Sequence, residues 1–208
     1  MTSCTRLLAP LALSLMLGGC GGLLRSAAPA EQTYLLRSAA MVATAPAIKA
    51  TLQLLPVAVQ PGLDTPRIAL ARPGNRLDWY AGARWAGSLG EVTTALLAQS
   101  LRDSGRFDQV ASDAAAMDAD VVLAVTVRRF EAEQAGEGRV PVAQVRLECT
   151  LASLAAHRQL AAFTASASVP AQDNRLGDVV AALEQAAQQA VAQVVEQAAT
   201  ITAAQRAR

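Results

Sequence analysis

Few residues in this chain could do covalent chemistry, and each must be weighed against a structural role. The string Ala86-Gly87-Ser88-Leu89-Gly90 sits between a strand pattern and a helix pattern, where a nucleophile elbow would sit. It opens with Ala where the commoner pattern has Gly. Its base would have to be His157, the one histidine, which falls in an expected hairpin turn. Ser88 as a helix N-cap accounts for the same residues without a catalytic partner, and that is the reading adopted. One histidine and one internal cysteine, Cys149, cannot furnish a usual zinc site, so Cys149 is expected to be a small core residue. Asp113, Asp118 and Asp120 lie close together but lack the glycine and closing glutamate of a calcium loop, and read as a solvated turn. No glycine loop with a lysine is present to cradle phosphate, so the chain is not expected to be an ATPase, and no metal or diffusible cofactor is expected.

The remaining reactive group is the thiol of Cys20, which ends the run Leu17-Gly18-Gly19-Cys20. Arg6 supplies a positive start and Leu7 to Leu17 an apolar stretch too short to cross a bilayer, which needs about 20 residues. This order is that of an exported, cleaved signal. The last four residues resemble the lipobox of bacterial lipoproteins, with Leu17, Gly18 and Gly19 at the positions before the acylated cysteine. The resemblance implies a covalent lipid on Cys20, the new N-terminus, and an ordinary signal cut near Ala28-Pro29-Ala30 is the alternative. Stable anchoring takes more than one acyl chain, which a mature lipoprotein of this kind carries. Gly21 and Gly22 follow the cysteine. The absence of an aspartate there implies the outer membrane, on its periplasmic face, as the site.

Removing residues 1–19 takes away Arg6 and no acid, leaving 17 basic and 17 acidic residues. That balance gives no electrostatic case for nucleic acid or for an anionic membrane surface. With Cys4 discarded and Cys20 acylated, Cys149 has no partner for an intrachain disulfide. Three segments follow: a signal peptide over 1–19, a lipidated N-terminus and flexible tether over 20–32, and one domain over 33–208.

Within that domain the periodicities alternate between two kinds. Thr33-Tyr34-Leu35-Leu36-Arg37 predicts a short strand, and Ala50 to Val59 a longer one ending at the turn Gln60-Pro61-Gly62. Arg67–Ala71 and Arg76–Tyr80 predict a hairpin about Arg72-Pro73-Gly74-Asn75, where Pro and Gly fall where a type II turn wants them. Ser88-Leu89-Gly90-Glu91 reads as a capping box ahead of a helix with Leu89, Val92, Leu96, Leu97 and Leu101 on one face and Gly105 as its stop. Phe107–Val110 could form a short strand after it. Ala119–Phe130, Val142–Leu151 and Leu160–Val169 alternate apolar with polar residues, which predicts an antiparallel meander with one wet face. From Asp173-Asn174, both good N-caps, a long helix runs with Leu176, Val179, Val180, Leu183, Val191, Val194, Val195 and Ile201 at helical periods. Its apolar stripe is wide, so it either packs across the sheet or meets a partner, and a ring or dimer would suit an exposed second flank. The expected fold is α/β (α+β): a mixed, largely antiparallel sheet with two main helices packed on one face.

Several stretches together resemble the ABC-type transport auxiliary lipoproteins, which include the PqiC-like components of lipid transport systems. They are the lipobox at Cys20, Tyr34-Leu35-Leu36, the strand Leu52–Val59 running into Pro61-Gly62-Leu63-Asp64-Thr65-Pro66-Arg67-Ile68, and above all Leu77-Asp78-Trp79-Tyr80-Ala81-Gly82-Ala83-Arg84-Trp85-Ala86 before the Glu91–Leu101 helix. The likeness covers roughly residues 33–200. It implies a non-enzymatic accessory subunit of an MCE-type transport system, with an MCE-domain protein and an ABC permease and ATPase as partners and a phospholipid or other hydrophobic substrate. The lipoprotein would dock the periplasmic MCE assembly at the outer membrane. An envelope-assembly or lipid-binding lipoprotein acting without a transporter is the alternative. Aromatics and arginine are enriched at interface hot spots, which makes Trp79, Tyr80, Arg84 and Trp85 the candidate partner contacts. Core packing is the competing role, favoured for Trp79 and left open for Tyr80, Arg84 and Trp85.

Overall fold

The computed structural model describes residues 31–40, 45–111 and 119–207. The signal peptide, Cys20, the tether residues through Ala30 and the aspartates Asp113 and Asp118 lie outside the described residues. In chain order the elements are β1 (Gln32–Tyr34), β2 (Ile48–Leu54), β3 (Ala58–Val59), β4 (Arg67–Arg72), β5 (Arg76–Trp85), α1 (Leu89–Asp103), β6 (Phe107–Ala111), β7 (Val121–Glu133), β8 (Val142–Ser153), β9 (Arg158–Pro170) and α2 (Leu176–Arg206).

Strand β7 is the axis of the sheet. On one side it pairs antiparallel with β8, which pairs antiparallel with β9, giving the meander that the alternating sequence predicts. Its other edge is taken up in succession, all parallel, by β2 at Val121–Leu123, β3 at Thr126–Val127 and β4 at Ala132–Glu133. Two arms leave that edge. One continues from β2 to β6, the other from β4 through the antiparallel hairpin to β5 and then β1. The sheet is therefore mixed, with its longest pairings antiparallel. The single strand expected over Ala50–Val59 is two, because Pro56 has no N–H to give the ladder. Leu55 still donates to the Leu123 carbonyl at 3.0 Å before the break, and Gln60 donates to Val127 at 2.9 Å after it.

The first strand also ends earlier than its sequence suggests. Past Tyr34 the chain leaves β5 and crosses the helices, where Arg37 N–H donates to Glu184 and Gln188 donates to the Arg37 carbonyl. Ser38 reaches Asp103 on α1 from the same segment. Helix α1 starts on the capping box read from sequence, with Ser88 Oγ accepting from Glu91 N–H and Glu91 Oε2 accepting from Ser88 N–H at 2.8 Å. Asp64 supplies a further acceptor to the Gly90 amide at 3.0 Å. Gly105, at φ +60°, ends it in the left-handed region.

Helix α2 begins one residue beyond the expected caps. Its N-cap is Arg175, with no side-chain capping bond, while Asp173 instead accepts from the Asn174 amide. Its 31 residues span about 46 Å and lie across β9, β8, β7 and β2, with α1 alongside on the same face. Both flanks of the wide stripe are buried: Val179, Leu183, Val194 and Val195 are each at most 1% exposed. The helix packs across the sheet, and the exposed second flank that would have suited a ring or dimer is not there. Between the helices and the sheet lie Leu52, Leu54, Ile68, Leu97, Leu101, Leu123, Leu147 and Leu151, all at most 1% exposed.

Candidate functional site

The helices cover one face of the sheet, so polar chemistry gathers on the other. On β7 the inward alternation Val121, Leu123, Val125, Val127 is broken by a β-bulge between Val127 and Arg129. The extra residue shifts the phase of the strand, so that Phe130 and Ala132 are the apolar residues buried beyond it. Arg128 and Arg129 thereby lie side by side on the helix-free face, a common use of a bulge. The neighbouring strand sets Arg146 directly opposite Arg129. Across the other edge of β7, the end of β4 and its hairpin add Arg72 and Arg76.

These five arginines line an open groove of about 910 Å³, together with Glu131, Glu133 and Glu148 and the apolar Pro61, Leu63 and Leu77. Most of the guanidinium groups are held in place. Arg129 Nε donates to Glu131 at 2.6 Å and its Nη2 to Glu133 at 2.9 Å. Burial alone would lower the Arg129 pKa, but these two carboxylates outweigh it and push it above the ordinary value. Glu131 is itself only 7% exposed, and its second oxygen accepts from the Phe130 amide at 2.7 Å, so both of its oxygens are satisfied. Arg128 pairs with Glu148 at 2.7 Å. Arg72 pairs with Asp78 at 2.5 Å and donates to Gln134, whose own side-chain amide donates to the Arg139 carbonyl. Two guanidinium groups keep free capacity. Arg76 is 69% exposed and stands 3.7 Å from Asp78, and Arg146 makes no ion pair among the described residues.

The aromatic stretch read from sequence does not form one patch. Trp85 is 1% exposed and stands edge-to-face with Phe130, ring centroids 5.8 Å apart and planes at 87°. Of its two open roles, the structure gives it the core. Trp79 is only partly buried, and the Arg67 guanidinium lies 4.8 Å over its ring. Arg84 sits opposite Arg67 in the β4–β5 register, 3.7 Å from Glu31. Tyr80 is half-buried. Burial raises its hydroxyl pKa, and the charge of Arg72 works against that rise. Leu77, two residues before Trp79 and on the same face of the strand, lines the groove. Sequence reasoning missed the groove because its arginines come from four separated segments. The doublet Arg128-Arg129 in an alternating strand was the one local signal for it.

The residues weighed for catalysis are placed apart. Ser88 is occupied by the capping box, His157 lies in the β8–β9 turn at φ +48°, and no hydrogen bond joins them among the described residues. The smaller groove beside α1, about 510 Å³, is lined by Asp64, Ser88, Glu91 and Thr94. Asp64 and Ser88 accept from the first α1 amides, Glu91 caps back to Ser88, and Thr94 Oγ1 accepts from Val57 N–H and donates to Gly90 C=O. Cys149 is free and buried, and burial pushes its thiol pKa up to about 12, as for an inert core residue. Asp120 holds Thr51 N–H at 2.8 Å and pairs with Arg206, so it ties β2 to the end of α2. Among the described residues no group of three metal-capable side chains gathers.

No curated protein matches the chain in sequence. Among solved structures, a Xanthomonas campestris protein is 28% identical, with a TM-score of 0.76 over 85% of this chain and 98% of that one. An uncharacterized protein at 18% identity (TM-score 0.65, covering 81% and 99%) and a hypothetical protein of Chlamydia trachomatis at 11% identity (TM-score 0.53, covering 76% and 99%) share the fold. The model of one family, described as ABC-type transport auxiliary lipoprotein component, matches residues 34–195, which runs from the end of β1 through most of α2. This chain belongs to the family of ABC-type transport auxiliary lipoprotein components.

Proposed function

We propose that this protein is a non-enzymatic docking subunit. It holds the periplasmic MCE-domain protein of an ABC-powered lipid transport system at the outer membrane, with lipidated Cys20 as its anchor. The observation that carries the reading is the family match over nearly the whole domain. The chain supplies what a docking subunit needs. Eleven residues separate Cys20 from Gln32, the first residue of β1, a reach of up to about 40 Å when extended. The helix layer closes one face with buried alanine, valine and leucine, leaving the opposite face and its charged groove for contact. Charged walls of this kind suit a protein surface better than acyl chains.

The test is affinity purification of the full-length lipoprotein from its native envelope after mild crosslinking, beside the Cys20→Ala variant. Recovery of an MCE-domain protein with the wild type, and its release from the outer-membrane fraction with Cys20→Ala, is the expected result. Failure to recover any transporter subunit would overturn the docking reading and favour an envelope lipoprotein that works without a transporter.

A further inference from the structure

Resting on that reading, we propose that the arginine groove on the helix-free face is the docking site for an acidic, extended segment of the partner protein. Arg76 and Arg146 bind its carboxylates and Leu77 takes an apolar side chain between them. The groove carries a small positive excess, located at Arg76 and Arg146, because Asp78, Glu148 and the Glu131–Glu133 pair face the other three arginines. Five of the 18 basic residues line it, against three of the 17 acidic ones.

The arrangement selects a segment rather than a single anion. Arg76 on β5 and Arg146 on β8 are separated by three strand spacings across the sheet, about 14 Å, and by five residues along it, about 16 Å, which together make about 22 Å. One phosphate cannot touch both. An extended chain covers that span with about seven residues, which places two carboxylates at its ends with room for an apolar side chain between them. Leu77, 41% exposed at the groove wall, has no other evident reason to face water. Arg72, Arg128 and Arg129 are already fixed by Asp78, Glu148 and the Glu131–Glu133 pair, so only Arg76 and Arg146 lose side-chain freedom on binding. The same carboxylates repel a uniformly anionic surface, which separates this groove from a patch that would lie on lipid headgroups. They give the groove a pattern of signs that only a matching sequence satisfies.

The experiment measures binding of the purified MCE-domain protein of the same system to the full-length lipoprotein in detergent. Wild type, the double variant Arg76→Glu/Arg146→Glu and the control Arg175→Glu are compared at about 0.05 and about 0.5 M NaCl. Arg76 and Arg175 are exposed, and Arg146 has no acidic partner among the described residues, so the variants should fold, which thermal unfolding checks. The double variant is expected to bind about tenfold more weakly or worse, the control to bind as wild type, and wild-type binding to weaken at the higher salt. Unchanged affinity of a folded double variant would overturn the inference and leave docking intact. Loss of binding to phosphatidylglycerol bicelles with the MCE protein still bound would overturn it in favour of a lipid headgroup. If wild type itself does not bind the MCE protein, the docking function falls, and this site with it.

Discussion

Replacing Trp85 by alanine separates core packing from partner contact, the two roles that its sequence left open. Its ring is 1% exposed and stands edge-to-face on Phe130 at 5.8 Å. Burying a tryptophan removes roughly 200 Å² from water, which at about 25 cal/mol per Å² is worth about 5 kcal/mol as an upper bound. Measured Trp→Ala substitutions in cores cost about 3–5 kcal/mol, including the cavity left behind. The two routes meet at about 4 kcal/mol, a large part of the 5–15 kcal/mol that holds a typical domain folded. For a domain of this size that lowers the melting temperature by roughly 10 °C. Trp85→Phe keeps a ring against Phe130 and should recover more than half of the loss.

Trp79→Ala is the internal contrast. That ring is partly exposed, and its contact with Arg67 at 4.8 Å is worth about 0.5–1 kcal/mol at such a site. The total cost, with partial burial, should stay near 1–2 kcal/mol. Urea unfolding followed by far-UV circular dichroism reads both variants, since it does not depend on tryptophan emission. If Trp85→Ala unfolds at the wild-type midpoint, the packing of β5 against β7 is wrongly described. The partner-contact role would then return to Trp85.

Three further outcomes follow from single sites. Ser88→Ala removes the acceptor for the Glu91 amide and should destabilise the domain by about 1 kcal/mol in denaturant titration. Partner binding should be unchanged. Gly90→Ala should lower the urea midpoint even though alanine is the better helix former by about 1 kcal/mol. A Cβ there would lie 3.1 Å from the Val57 carbonyl, and that segment is pinned by the bond from Val57 N–H to Thr94. A midpoint that rises would mean that the β2–β3 connection yields freely. For Cys149, the folded thiol pKa of about 12 stands above the ordinary 9.0, so the fold holds a proton that the unfolded chain releases first. Its contribution to stability is intact below pH 9 and is lost as pH rises toward 12, with Tyr80, raised in the same direction, adding to the slope. Thiol labelling of the native protein at pH 9 should be slow and should become fast in urea.

The sheet and helices were legible because they rest on local rules. The alternation over β7 and β8, the turn at Pro73-Gly74 with Gly74 at φ +79° and the capping box at Ser88 each depend on neighbours within a few residues. What escaped was non-local. Nothing in the run Ala50–Val59 says that its two halves join the same edge of a strand seventy residues away. Nor does the stripe on the last helix say that both flanks meet sheet and helix of the same chain. The tryptophans show the limit most clearly. Trp79 and Trp85 differ by an even number of residues, and a regular strand would put them on one face. Yet Trp85 is buried against Phe130 and Trp79 lies beside Arg67. The pairing of β4 with β5 slips between Arg67 and Ala69, and Gly82 at φ +68° lies between the two rings. Two steps along β4, Arg67 to Ala69, face five along β5, Trp79 to Arg84, so β5 carries three extra residues, the left-handed Gly82 among them. That odd number changes the side.

The β7 bulge makes the same point about function. Regular alternation through Glu133 would put Arg129 and Glu131 on the face that holds Val127 and beneath α2, where charge has no water. The inserted residue sends Val127 and Phe130 to the core and Arg128, Arg129 and Glu131 to the open face. A strand that must line the core over its first half and present charge over its second needs such a phase change. The bulge is therefore the hinge between the stability of this domain and its binding surface. Deleting Arg128 removes the extra residue, so that Val127, Arg129 and Phe130 alternate regularly, Arg129 stays opposite Arg146 and Phe130 opposite Val145, and core and groove keep their faces. The deletion should therefore cost within about 1 kcal/mol of what Arg128→Ala costs, since both lose the pair with Glu148, and parallel denaturant titrations measure the difference. A much larger loss on deletion would mean that the bulge itself, and not the facing of the residues beyond it, holds this end of the strand.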